Sequence, residues 1–426
     1  MISTTAAIPG YALKNPTTVA FLPTPGMPGY FQTNFDYQLV RAMGAEAYSG
    51  SSIGECLVTA KRIVDGDDES FVTAWSAMAV RVEQLGDDSF KGGHLVSARE
   101  AFLRACTYWK TAGFFLGHAD PRQMATWKKS RECFQKAGAL FDPVIEPIMI
   151  PYEDGKFLPG YFMKADATSK PRPTVMIMGG GDTTGEELYF FGGGAAAVRR
   201  GYNALLFEGP GQRGTMYLDS SLPYRPDWEV PMKYVLDYVL TRPEVDPERL
   251  ALIGYSMGGY FAPRAAAFEK RIKAVIANSL APDMRVLLAI LGLDPNKSYE
   301  GQDIESLVDL TDPFRRFGVG DFRWRCGLSD VPLSKLVAFI GTFSLKGLER
   351  MITCPLLNIC GNGEGQMMLQ ASRKFYDQLA CPKAMYCLED DEGAEAHCQV
   401  NNPSRAHQIT FDWLDDVFGR THQRAQ

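Results

Sequence analysis

The chain has 426 residues, 46% of them hydrophobic and 22% charged, and carries a formal net charge of −6. That suits two or three folded domains of roughly 150 residues each and excludes a disordered chain. Lys and Arg are spread along the sequence without a basic stripe, which argues against a nucleic-acid partner.

The opening stretch Met1–Thr18 lacks a basic segment followed by an apolar core, so no secretory leader is expected. No run approaches the roughly 20 apolar residues that span a bilayer. The nine cysteines are odd in number and scattered, with no C-x-x-C pair or metal-ligand spacing. These features predict a cytoplasmic protein with reduced thiols and neither metal nor cofactor.

Residues 1–140 read as a helical cap domain. Phe71, Ala74, Trp75, Met78, Ala79, Val82 and Leu85 follow the i, i+3, i+4, i+7 rule, and Asp67, Asp68 and Glu69 precede them where a helix dipole favours acids. Ala98, Ala101, Phe102, Ala105, Trp109 and Ala112 repeat the pattern, with small residues that let helices approach closely.

From residue 141 the texture changes. Ile145–Tyr152 and Phe157–Lys164, joined by Asp154-Gly155, predict a β-hairpin. Brief apolar runs follow at Thr174–Met178, Ala204–Glu208, Leu250–Gly254, Ala274–Asn278, Pro355–Cys360 and Ala384–Leu388. Helical patterns separate several of them, clearest at Pro231–Leu240, and the last helix is expected around Gln408–Phe418. That alternation implies a mostly parallel sheet covered on both faces over residues 141–426. Residues 281–351 interrupt it and read as a lid-like insertion over a site.

The run Leu250–Gly254 leads into Gly254-Tyr255-Ser256-Met257-Gly258, a G-x-S-x-G pattern followed by an alanine-rich helix. The chemistry needs a serine on a tight strand-to-helix turn, with glycines permitting the turn and helix amides behind it for an oxyanion. This context predicts an α/β-hydrolase fold with Ser256 as nucleophile. A hydroxyl needs a base within reach, and the fold orders its triad serine, acid, histidine. Among five histidines, His94 and His118 precede the serine, His422 lies in a polar tail and His407 opens the final helix in a surface or capping role. His397 follows the last strand and is the expected base. Glu364 in the loop after Pro355–Cys360 is the expected acid, with Asp390, Asp391 and Asp283 as rivals. The second oxyanion donor should come from Gly179-Gly180-Gly181-Asp182, so Gly181 or Asp182 would act with Met257. Glu208–Gly214 lacks the G-K-[ST] ending of a phosphate loop and is expected to shape the pocket floor. Tyr108, Trp109, Phe114, Phe115, Phe322 and Trp324 are candidate lining residues whose ordinary role would be core.

Ser97–Arg104, Gly179–Glu187, Phe207–Gly211, Arg225–Glu229, Gly254–Tyr260 and Glu395–Gln399 together carry a resemblance over nearly the whole chain. It resembles the fungal polyketide hydrolases of the yellowish-green pigment type, grouped with FrsA-like proteins and pseudooxynicotine C–C hydrolases. The resemblance implies a homodimeric two-domain enzyme of fungal secondary metabolism acting on a small polyketide-like substrate, with retro-Claisen cleavage of a β-dicarbonyl as the expected reaction. Ester or lactone hydrolysis, and cyclisation or condensation without net hydrolysis, are the alternatives on the same fold. Where relatives carry an aspartate in the acid loop, this chain has Gly361-Asn362-Gly363-Glu364.

Overall fold

The computed structural model describes residues 34–310 and 313–420, apart from the side chains at 290, 313 and 314. The reading of Met1–Thr18, the first 33 residues of the helical segment and His422 lie outside these residues.

Five helices come first: α1 (Phe35–Gly44), α2 (Ile53–Ala60), α3 (Asp68–Lys91), α4 (Leu95–Ala112) and α5 (Pro121–Gly138). The Asp67 side chain caps α3 by accepting from the Glu69 amide at 3.0 Å, and Pro121 opens α5 behind an Asp120 cap. The α3 stripe is buried from Phe71 to Val82, but Leu85 is 47% exposed. Gly86 turns inward instead, because a Cβ there would lie 2.6 Å from the Phe102 ring of α4. A period of 3.6 leaves positions 85 and 86 equally placed, and the close helix crossing selects the residue without a side chain.

Eight strands follow: β1 (Glu146–Pro151), β2 (Phe157–Met163), β3 (Arg172–Met178), β4 (Asn203–Phe207), β5 (Val245–Tyr255), β6 (Ala274–Asn278), β7 (Leu356–Gly361) and β8 (Lys383–Leu388). They form one sheet in the order β1-β2-β4-β3-β5-β6-β7-β8. The β1–β2 hairpin and the β2–β4 pair are antiparallel, and β4 through β8 run parallel. The hairpin turn falls at Asp154 and Gly155, both at positive φ (54° and 74°), as the Asp-Gly pair predicts. The remaining helices are α6 (Gly194–Arg199), α7 (Arg213–Leu218), α8 (Glu229–Val239), α9 (Gly258–Phe268), α10 (Pro313–Arg325), α11 (Leu333–Ile340), α12 (Gln366–Gln378) and α13 (Pro403–Val417).

Alternation along the strands separates two cores. Val175, Ile177, Ala251 and Ile253 face the helical layer and pack with Trp75, Tyr108 and Phe134. Met176, Met178, Leu250 and Leu252 face the other way, toward Trp228, Phe261 and Leu336. A sheet buried on both faces reads as continuous apolar runs for this reason. The Arg225–Glu229 motif belongs to this second layer: Trp228 stacks on Phe261 at 3.9 Å between centroids, and Glu229 holds Arg264 through two bonds of 2.7 Å. Among the described residues no helix is long and apolar enough to cross a membrane.

Candidate active site

The parallel strands β5, β6, β7 and β8 lie side by side, so the residues following their C-terminal ends converge. Ser256 follows β5, Ser279 follows β6, Glu364 sits three residues past the end of β7, and His397 lies on the loop after β8. Open parallel sheets present their sites at this edge.

Ser256 has φ of 58°, the left-handed conformation that the turn imposes on a residue with a side chain. Its neighbours explain the flanking glycines. A Cβ on Gly254 would lie 2.0 Å from the Gly258 carbonyl, and one on Gly259 would lie 1.7 Å from the Ser279 carbonyl. The Ser256 amide donates to the Asn278 carbonyl at 2.7 Å, which pins the turn to β6.

Ser256 Oγ lies 3.0 Å from His397 Nε2, and His397 Nδ1 lies 3.4 Å from Glu364 Oε2. The Glu364 carboxylate is buried; its Oε1 accepts from the Gly361 amide at 3.2 Å, and its Oε2 also accepts from the Ser279 hydroxyl. Asp390 and Asp391 are exposed, and Asp283 pairs with Arg285, so the structure brings Glu364 and none of the rivals to His397. Burial disfavours the imidazolium, but the Cys398 thiol and the Glu364 carboxylate outweigh it and hold His397 well above the ordinary histidine range. The Tyr37 hydroxyl of α1 donates to the His397 carbonyl at 3.2 Å. Nothing in the sequence marks Tyr37 or Ser279, because both act through contacts between distant segments.

His407 does not cap a helix end at the surface. It is fully buried inside α13, with Nδ1 2.7 Å from the Tyr48 hydroxyl and Nε2 2.8 Å from the Phe191 carbonyl. Burial pushes its pKa down to about 4, so it is a neutral structural histidine. The helix begins at Pro403, five residues earlier than the apolar pattern places it, and carries position 407 into the core.

The glycine loop after β3 lies against the elbow: a Cβ on Gly180 would sit 2.4 Å from Ser256 Cβ and 2.7 Å from the Met257 amide nitrogen. Two side chains hold its carbonyls. Gln212 Nε2 donates to the Gly179 carbonyl at 2.7 Å, and the Tyr224 hydroxyl donates to the Gly180 carbonyl at 3.3 Å. In a trans peptide N–H and C=O point oppositely, so fixing the Gly180 carbonyl also aims the Gly181 amide. Asp182 is anchored by its side chain, which accepts from Arg41 of α1 at 2.6 Å. Arg41 and Lys110 also ion-pair with Glu187 at 3.1 and 2.8 Å. Against the cost of burial, Arg41 and Lys110 hold the Asp182 carboxyl well below its usual range, while burial and Arg41 push Lys110 down to about 8.

The segment Glu208–Gly214 lies behind this loop and is absent from the cavity floor. Its Gln212 supports the loop, and the Glu208 carboxylate accepts from the Gly185 and Gly214 amides at 2.7 and 2.6 Å. Above Ser256 and Met257 is a cavity of about 120 Å³, lined also by Gly181, Asp182, Phe114 and residues of the 281–351 segment, among them Leu288, Phe322 and Ile340. An apolar cavity near 150 Å³ accommodates one benzene ring, which sets the scale of what reaches the serine. Of the aromatic candidates, Phe114 and Phe322 line it. Tyr108, Trp109 and Phe115 pack in the helical layer, and Trp324 stacks on Tyr217 and His118.

Residues 70–292 match the family described as "Esterase FrsA-like". Alpha/beta hydrolase xenA of Xenoacremonium sinensis is 35% identical over 356 residues, covering 78% of this chain and 83% of that protein. Hydrolase ORFZ of Pyricularia oryzae is 36% identical over 415 residues, covering 90% and 96%. The 20-hydroxy-prefusarin hydrolase FUS2 of Gibberella moniliformis is 40% identical over 251 residues, 57% of this chain and 59% of that one. In fold, the chain is similar to the crystal structure of a 2,6-dihydroxy-pseudo-oxynicotine hydrolase, with a TM-score of 0.67 at 22% identity over 88% of this chain and 95% of that one. The resemblance read from the motifs therefore holds at the level of family and fold: the chain is an α/β-hydrolase enzyme belonging to the FrsA-like family, with fungal hydrolases among its relatives.

Proposed function

We propose that this enzyme is a serine hydrolase of fungal secondary metabolism that cleaves a carbon–carbon bond of a β-dicarbonyl, polyketide-like substrate. The observation that carries the acyl-transfer chemistry is the buried relay Ser256–His397–Glu364, with separations of 3.0 and 3.4 Å, opening onto an apolar cavity. The motif resemblance supports carbon–carbon cleavage over ester cleavage.

In this reading His397 Nε2 takes the Ser256 proton as Oγ bonds to a substrate carbonyl carbon. The carbonyl electron pair moves onto oxygen, stabilised by the Met257 and Gly181 amides. Asp182 serves the hole through its carboxylate anchor rather than its own amide. The oxyanion then collapses, the C–C bond breaks with its electrons passing into an enolate, and His397 returns the proton to that carbon. Water, deprotonated by His397, releases the acyl group from Ser256 as a carboxylic acid. Glu364 keeps the imidazole oriented and stabilises its charged form. We take the working enzyme to be a cytoplasmic homodimer.

The test is incubation with β-diketone polyketides followed by mass spectrometry. Two fragments whose masses sum to substrate plus water are expected, with rate falling by about three or more orders of magnitude in Ser256→Ala. A product of unchanged mass that still forms in Ser256→Ala but not in His397→Ala would establish cyclisation instead. Rapid turnover of simple esters with no reaction on diketones would establish an esterase.

A further inference from the structure

The cavity wall facing Ser256 is largely apolar but carries a group of charges on α10. Asp321 and Arg325 lie one turn apart on α10, and both line the cavity. Arg325 Nη2 is 2.5 Å from Asp321 Oδ2, and its Nη1 donates to the Tyr224 hydroxyl at 2.8 Å. Arg213, at the start of α7, approaches Asp321 Oδ1 only to 3.6 Å. Its guanidinium lies against the rings of Phe114 and Phe317, 5.3 and 5.4 Å from their centroids, and both rings line the cavity. Arg213 and Arg325 are 3% and 1% exposed. Nonetheless, Nε and Nη2 of Arg213 and Nε of Arg325 have no hydrogen-bond partner.

The adjoining charges do not cancel this excess. Arg41 and Lys110 are matched by Asp182 and Glu187, so across the connected set four cations face three carboxylates. Glu208, whose oxygens take the Gly185 and Gly214 amides, is pushed up to about 8 by burial and the Glu186 charge, and so holds its proton at neutral pH. An unmatched guanidinium in an apolar, water-poor site costs several kcal/mol, and such costs concentrate where a ligand supplies the missing charge.

We infer that Arg325 in the cavity wall, backed by Arg213 behind the Phe114 and Phe317 rings, forms a recognition site for a planar, delocalised oxygen anion on the substrate, either a carboxylate or an ionised 1,3-dicarbonyl, held across the cavity from Ser256. A guanidinium presents paired N–H donors to such a group, and the flanking Phe114 and Phe317 exclude water. This assignment rests on the cavity being the substrate site of the proposed hydrolase and deepens that reading: the substrate is acidic.

Ligand-observed NMR titration of the full chain at neutral pH tests it with two shape-matched pairs, benzoate against benzamide and 1,3-cyclohexanedione against its neutral methyl enol ether. At least one anion should bind about tenfold or more tightly than its neutral partner. The pair showing the preference identifies carboxylate or enolate as the recognised group. The preference should vanish in Arg213→Met and persist in Arg285→Met, an exposed arginine of the 281–351 segment. Arg325→Met is the second variant, and the wild-type comparison decides even if it misfolds. Equal affinity within both pairs overturns the proposal, as does a preference that survives in Arg213→Met and Arg325→Met, which would place the anion in the oxyanion hole. Because the titration does not use the serine, it can fail while Ser256 still reacts with a fluorophosphonate, or succeed while it does not.

Discussion

The strand ends beneath the cavity and the 281–351 segment above it are built by different means. Below, Ser256, Glu364 and His397 are each fixed by backbone: a left-handed turn, a Gly361 amide, a Tyr37 hydroxyl on a main-chain carbonyl. Above, Leu288, Phe322 and Ile340 are held by side-chain packing on short helices. Backbone hydrogen bonds between neighbouring strands have one geometry, so the lower side holds the reacting atoms in fixed places. Side-chain packing tolerates exchange of shape at similar volume. Chemistry should therefore reside below and selectivity above.

The largest expected effect strikes the link between helical layer and glycine loop. Arg41→Met leaves Asp182 and Glu187 buried with Lys110 as their remaining close cation, and should cost about 3–5 kcal/mol of stability in denaturant titration. Acid should act at the same place. The Asp182 pKa is depressed in the folded state, so its stabilisation is present above the unfolded value of about 4 and is lost progressively as pH falls from there through the lower folded value. A wild-type acid transition unchanged by Arg41→Met would remove this link from the account.

Glu364→Gln comes next and sharpens the assignment of the lower side. It should lower kcat by about two orders of magnitude or more. His397 works as a base only when neutral, and the carboxylate helps hold its pKa up. The wild-type rate should thus climb as pH rises above the ordinary histidine range, and in Glu364→Gln that limb should move to lower pH. A limb that stays in place would show that another group sets the His397 titration.

Phe322→Ala opens the upper wall and should raise KM by about tenfold with kcat retained, the pattern of lost uniform binding. A fall in kcat with unchanged KM would break the division between the two sides. Tyr37→Phe removes the hydrogen bond to the His397 carbonyl and should cost about 0.5–1.5 kcal/mol, visible as a severalfold loss of kcat. Retained activity would make Tyr37 a packing residue only.

Local chemistry explains what was legible beforehand. Gly254, Ser256 and Gly258 announce an elbow because the turn cannot be made otherwise, and the apolar runs give six of the eight strands within a few residues. The Asp154-Gly155 turn likewise places the hairpin of the other two. Glu364 and His397 followed from the order in which parallel strands return to one edge. Leu85 and His407 were misjudged for a common reason: periodicity gives a face, but the neighbour that covers it is set by packing. The same limit hid Tyr37, Ser279, Gln212 and Tyr224, which reach the site across the fold.

The sequence by itself determined the strand–helix alternation and the strained serine turn, because each is written in residues within a few positions of one another, and it pointed to His397 through the order in which the strands return to one edge. Only the tertiary structure decided that Ser279 shares the Glu364 carboxylate with His397, that Arg41 anchors the glycine loop, and that Arg213 and Arg325 share one aspartate. Charge balance in a buried site depends on which segments meet there, and no spacing along the chain encodes it.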